Sequence, residues 1–148
     1  MASVEISPQD IEELLNSERI IRIGLDADGQ RYLVPLGYVW LKSSIYCLTT
    51  PGKKTLMTKK NPHVSFQIDN SSVKNPFEWT SVIGEGKIQT VTDSTEIEAI
   101  RPILFGRFQD IPEWASKEYE ERHRVGALVC LRIIPEIMTG RRNSPIAE

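Results

Sequence analysis

The chain has 148 residues, the size of one ordinary domain, and its 40% hydrophobic and 26% charged residues set it apart from disordered and membrane-embedded chains. A formal net charge of −2 gives no global attraction for nucleic acid, so any anion site must be local. No apolar run is long enough to span a bilayer, and the opening Met1-Ala2-Ser3-Val4-Glu5 lacks the basic and apolar stretches of a secretory signal, which makes the cytoplasm the expected compartment.

Ser7-Pro8-Gln9-Asp10 places an N-cap serine, a proline at the first helical position and an acid at the third, ahead of Ile11, Leu14 and Leu15 at helical spacing. This predicts a short amphipathic helix to about Asn16. Arg19 to Leu25 is rich in isoleucine and runs into the turn Asp26-Ala27-Asp28-Gly29, after which Gln30 to Trp40 resumes as a strand. A polar turn at Leu41-Lys42-Ser43-Ser44 leads into Ile45 to Thr49, so the first third reads as a three-stranded meander. Pro51-Gly52 breaks that strand, and Lys53 to Lys60 predicts one or two helical turns ended by Asn61-Pro62. His63 to Asp69 alternates with Val64, Phe66 and Ile68 on one face, a half-buried strand. A polar loop, 70 to 76, precedes a long strand from Trp79 to Val91 in which Gly84 and Gly86 suggest a bulge or close backbone approach. Asp93 or Ser94 caps a helix through Ile97, Ile100, Ile103 and Leu104, with Pro102 predicting a kink or late start. Ile111 to Arg124 predicts a second charged helix, Val125 to Ile134 an apolar strand, and 137 to 140 a last short strand. One domain over 1–148 is expected, with 1–6 and 141–148 flexible.

The segment Thr49-Thr50-Pro51-Gly52-Lys53-Lys54 combines hydroxyl donors, a glycine that admits close backbone approach, a helix start with unpaired N–H groups, and two positive charges. Those features suit a phosphate. Taken alone, a solvated basic turn is the commoner origin of such a pair. No Walker or dinucleotide fingerprint is present. Cys47 and Cys130 lie in apolar strands at a spacing of no metal or redox motif and read as buried small hydrophobes. His63 and His123 have no partners at ligand spacing, so no metal is assigned and both read as surface or satisfied polar groups. Trp114 and Tyr119 could cover a ligand edge, although packing their rings against the rest of the domain is the commoner use. No Ser/His/Asp set or carboxylate pair stands out, and no proton-transfer residue is named.

Four segments in order resemble the pyridoxamine-phosphate-oxidase-like FMN-binding split-barrel family, in particular its nitroimidazole-reductase-like and general-stress-like branches. They are Tyr32-Leu33-Val34-Pro35-Leu36-Gly37-Tyr38, Ile45 to Lys54, Asn61-Pro62-His63-Val64-Ser65-Phe66, and Trp79 to Lys87. The resemblance implies a mainly β fold, a six- or seven-stranded antiparallel split barrel with two to four short helices. It implies a homodimer with FMN in a groove at the interface, small-molecule electron donors and acceptors, and neither nucleic acid nor membrane as partner. Carried over residue by residue, it places Val34, Pro35 and Leu36 along the isoalloxazine ring and Thr49 and Thr50 at the ribityl–phosphate end. Lys53 and Lys54 would meet the phosphate, Lys54 more closely, and Trp79, Ser81 and Val82 would line the same groove from a neighbouring strand.

Where the nitroimidazole-reductase branch has a histidine before the phosphate loop, this chain has Leu48, and its loop is about one residue shorter. The function so implied is that of an FMN-dependent oxidoreductase passing electrons from a reduced nicotinamide to a small acceptor. The alternative on the same fold is a non-catalytic flavin, deazaflavin or haem carrier or sensor, or a dimeric interaction module.

Overall fold

The computed structural model describes residues 3–108 and 110–145. Its elements in chain order are β1 (Val4–Glu5), α1 (Pro8–Ser17), β2 (Ile20–Ala27), β3 (Gln30–Gly37), β4 (Val39–Leu41), β5 (Ser44–Thr49), α2 (Lys53–Lys60), β6 (His63–Asp69), β7 (Trp79–Val91), α3 (Ser94–Gly106), α4 (Glu113–Arg124) and β8 (Val129–Asn143). The caps fall where the sequence places them. Ser7 Oγ accepts from Asp10 N at 3.1 Å and Asp93 Oδ1 from Thr95 N at 2.9 Å. Pro102 is carried inside α3 without ending it.

One antiparallel sheet holds seven strands in the order β3-β2-β6-β7-β8-β5-β4, and β1 adds to β8 off this path. The sheet curls so that β3, at one end, comes back beside β5 near the other. The barrel is split there. The expected meander divides at this point: β2 and β3 form a hairpin through Asp28 and Gly29, both at positive φ, while β4 pairs with β5 at the other end of the sheet, so the strand expected over 30–40 ends at Gly37. Tyr38 makes the break. Its ring is fully buried, its N–H donates to Arg19 O at 3.0 Å and its hydroxyl to Leu15 O at 2.7 Å, which anchors the chain as it leaves one sheet end for the other.

The two expected closing strands are one strand, β8, with Pro135 accommodated where β7 slips register between Glu85 and Gly86. The glycines are needed there. A Cβ on Gly86 would lie 2.4 Å from Ile134 O, and one on Gly84 2.2 Å from the Phe66 ring. Part of each tail expected to be flexible is paired in the sheet. Arg141 and Arg142 pair with Glu5 and Val4 in the β1–β8 ladder, and Arg141 donates to Ser3 O at 2.6 Å. Of the tails expected to be flexible, residues 1–2 and 146–148 lie outside the described residues.

Strand alternation sends Ile21, Ile23, Val64, Phe66, Ile68 and Ile133 into the main core, where α1 adds Leu14 and Leu15. A second cluster lies under α3 and includes Val39, Tyr46, Leu48, Ile100, Leu104 and Cys130. All six residues of β5 are buried, because its two faces serve the two clusters. That fixes the strand whose end carries Thr49 and Thr50.

Candidate functional site

The split between β3 and β5 opens into a cavity of about 470 Å3. Pro35, Leu36 and Gly37 form one wall and Leu48, Thr49 and Thr50 the other. The roof is α4, which turns Trp114, Ala115, Glu118, Tyr119 and Arg122 toward the gap, a spacing of three to four residues that defines one helix face. Sequence reasoning did not find Glu118 and Arg122. They form an i,i+4 ion pair at 2.5 Å, and such a pair reads in sequence as an ordinary solvated helix face.

Thr50 leads through Pro51 and Gly52 into the N-terminus of α2. There Thr55 turns back, its hydroxyl accepting from Gly52 N at 2.9 Å and donating to Gly52 O at 2.8 Å, which fixes the turn between strand and helix. The backbone N–H groups of Lys53 and Lys54 receive no acceptor among the described residues, and the hydroxyls of Thr49 and Thr50 make no side-chain hydrogen bond. Lys54 is half-buried and has no carboxylate within ion-pair distance among the described residues. Lys53 is exposed, and its ammonium stands 4.8 Å from the centroid of the Tyr32 ring. The hydroxyls of Thr49 and Thr50 at the groove wall, followed directly by the helix-start amides and by the ammonium groups of Lys53 and Lys54, form a donor set suited to an anion. A phosphate fits it.

The remaining site residues divide. Val34 is buried in the main core, since its neighbours Leu33 and Pro35 take the outward positions on β3, so its side chain does not reach the cavity. Val82 is fully buried in the same core and lines no groove. Trp79 and Ser81 line a separate pocket of about 560 Å3 with Gln67, Asp69 and the 70–76 loop. They do not come from a strand next to the first groove, because β2 and β6 separate β7 from β3, and β8 separates it from β5. Trp114 also departs from the packed ring expected of it. It is 71% exposed at the mouth of the cavity.

Both cysteines are buried as expected, and burial pushes the Cys130 thiol up to about 11 and the Cys47 thiol further in the same direction. His63 is exposed at the start of β6, and His123 on α4 lies 3.7 Å from Glu98 on α3. Among the described residues no group of three or more His, Cys, Asp or Glu side chains is placed to hold a metal ion, and no helix is long and apolar enough to cross a membrane.

The architecture has close counterparts among solved structures. An FAD-binding protein from Mesorhizobium loti superposes with a TM-score of 0.77 at 25% identity, covering 97% of this chain and 100% of that one. An FAD-binding protein from Mycobacterium smegmatis gives a TM-score of 0.62 at 22% identity over 97% and 100% of the two chains. A flavocytochrome from Azotobacter vinelandii gives 0.71 at 11% identity over 97% and 70%, a likeness of fold alone. The model of the pyridoxamine 5'-phosphate oxidase family matches residues 7–142. With the split barrel, its groove and this match in agreement, the chain belongs to the pyridoxamine 5'-phosphate oxidase family of flavin-binding split barrels.

Proposed function

We propose that this chain binds FMN in the groove between β3 and β5 and serves, as a homodimer in the cytoplasm, as an oxidoreductase that takes electrons from a reduced nicotinamide and delivers them to a small acceptor. One observation carries the reading. Thr49 and Thr50 line a cavity of ligand size, and the chain runs from them directly into the α2 N-terminus, where the backbone N–H groups of Lys53 and Lys54 have no acceptor and Lys54 no carboxylate partner among the described residues. A single cluster of anion donors suits a single terminal phosphate, which favours FMN over FAD even though two of the similar structures are named for FAD.

Bound there, the flavin would supply the hydride chemistry, and the protein's part is to hold, orient and shield it. Thr49, Thr50 and Lys54 fix the anionic end. Pro35 and Leu36 offer an apolar edge to a flat ring, and Pro35 has no N–H to leave unpaired against it. The α4 face limits access of water from above. A second copy would bring the partner subunit's Trp79 and the partner subunit's Ser81 toward the groove, which gives those residues the role that their own chain does not give them.

Protein purified without added cofactor should be yellow, and mass spectrometry of the small molecule released by heat should give FMN. Removing the phosphate should cost about 2 to 4 kcal/mol, so riboflavin should bind on the order of 30- to 1,000-fold more weakly than FMN. FAD as the released species would correct the cofactor, and equal affinities for FMN and riboflavin would remove the phosphate site. A colourless protein that takes up no flavin would remove the function.

A further inference from the structure

A second cavity, of about 330 Å3, lies beside the groove, between α3, the α3–α4 connection and α4. Five residues, Gly37, Leu48, Trp114, Ala115 and Tyr119, line both spaces, so the two communicate beneath α4. The chemistry changes across that boundary. The groove carries Glu118, Arg122 and two threonine hydroxyls, whereas no charged side chain lines the second cavity among the described residues. Four aromatic rings, Phe105, Phe108, Trp114 and Tyr119, stand around it.

We infer that this cavity is a binding site for a small uncharged aromatic molecule of one or two rings, seated next to the flavin groove. Its role as the substrate site rests on the proposed flavin reading; its capacity to bind does not. Size sets the first limit, since about 330 Å3 is near the lower end of the range for small-molecule sites. Polarity sets the second. A charged ligand would lose its water with no counter-charge on the walls, while an aromatic one gains edge and face contacts with the surrounding rings. Two of those rings are already set edge to face, Phe105 and Tyr119 at 5.4 Å and 73°, which ties α4 to α3 across the cavity.

The mouth is exposed. No residue of α4 is buried, and Trp114 leaves a large apolar side chain in water where a ligand would cover it. Gly37 sets the depth. A Cβ there would lie 2.8 Å from the Phe108 ring, so β3 and Phe108 meet closely and close the floor.

The test uses 2-naphthol as an uncharged probe and 2-naphthalenesulfonate as its charged counterpart, each titrated calorimetrically into the purified protein. The naphthol should bind with one site per chain and at least tenfold more tightly than the sulfonate. Ile111 lines the second cavity and not the groove, so Ile111→Trp should fill the space and weaken naphthol at least tenfold while changing FMN affinity less than twofold. In the wild-type protein, intermolecular nuclear Overhauser effects should connect naphthol protons to the rings of Phe105 and Phe108, which decides the location even if the variant does not fold. Tighter binding of the sulfonate, undiminished binding to folded Ile111→Trp, or effects only to residues elsewhere would overturn the site. The two readings fail separately: naphthol binding without any flavin uptake would overturn the substrate role, and flavin uptake without naphthol binding would overturn the cavity.

Discussion

At the scale of single residues, the adjacent lysines Lys53 and Lys54 differ in surroundings despite their shared turn. Lys53 faces water and the Tyr32 ring, whereas Lys54 is half-buried with no carboxylate within ion-pair distance among the described residues. A direct contact in a partly enclosed groove contributes about 1.5 to 3 kcal/mol, and a screened neighbour about 0 to 1. Lys54→Ala should therefore weaken FMN about 10- to 150-fold and Lys53→Ala less than about fivefold, as read by flavin fluorescence quenching on the apoprotein. Raised salt should erode the Lys53 effect more than the Lys54 effect. A loss confined to Lys53→Ala would shift the phosphate contact by one residue.

Cys130 gives a residue-level prediction in pH. Burial, with Glu96 adding to it, raises the thiol from 9.0 to about 11, so the unfolded chain loses this proton first. The stabilisation is fully present below about pH 9 and is lost as pH climbs through about 11. Denaturant midpoints measured from pH 8 to 11 should fall less steeply for Cys130→Ala than for wild type; parallel curves would remove the thiol from the account.

At the scale of elements, the β7–β8 register slip is where sequence and packing meet most directly. Gly86 needs its missing side chain because backbone atoms of Ile134 and Pro135 lie within 3.0 Å of the Cβ position, and a backbone in mid-ladder cannot swing aside. Gly86→Ala should cost about 1 to 3 kcal/mol, visible as a lowered urea midpoint with an unchanged m-value. Gly84 and Gly86 marked this bulge in sequence because strand glycines are conspicuous.

Other parts of the fold were legible for similar local reasons: the Ser7 cap, the Asp28-Gly29 turn, and the alternation of Val64, Phe66 and Ile68. The separation of β3 from β4 was not, since Gly37-Tyr38 looks like a continuing strand and only the anchoring of Tyr38 by Leu15 and Arg19 turns it. The site divided in the same way. Thr49 to Lys54 stands out in sequence as a candidate because its donors are contiguous, whereas Glu118 and Arg122 enter the groove only through the path of α4 across the split, which no local pattern encodes.

At the scale of the whole molecule, the outer face of the sheet argues for the proposed dimer. The ladders set Leu33, Gly24, Ser65, Glu85 and Ile137 in one row across five strands, and Pro35, Arg22, Gln67, Ile83 and Thr139 in the next. Leu33, Ile83 and Ile137 on these rows are 69%, 58% and 60% exposed, so apolar side chains recur on a face that a monomer would leave in water. The second row ends at Pro35, which is also a wall of the groove. A partner covering this face would therefore reach the site, and the site would depend on the association. Light scattering at micromolar concentration should report about twice the 16.8 kDa chain mass. The double variant Ile83→Glu and Ile137→Glu should set like charges beside Glu85 on the buried side of the contact and shift the mass to that of one chain. FMN affinity should fall at least tenfold in that variant although neither residue lines the groove. A folded monomeric variant that keeps its FMN affinity would confine the site to one chain, and Trp79 and Ser81 would lose their proposed part in it.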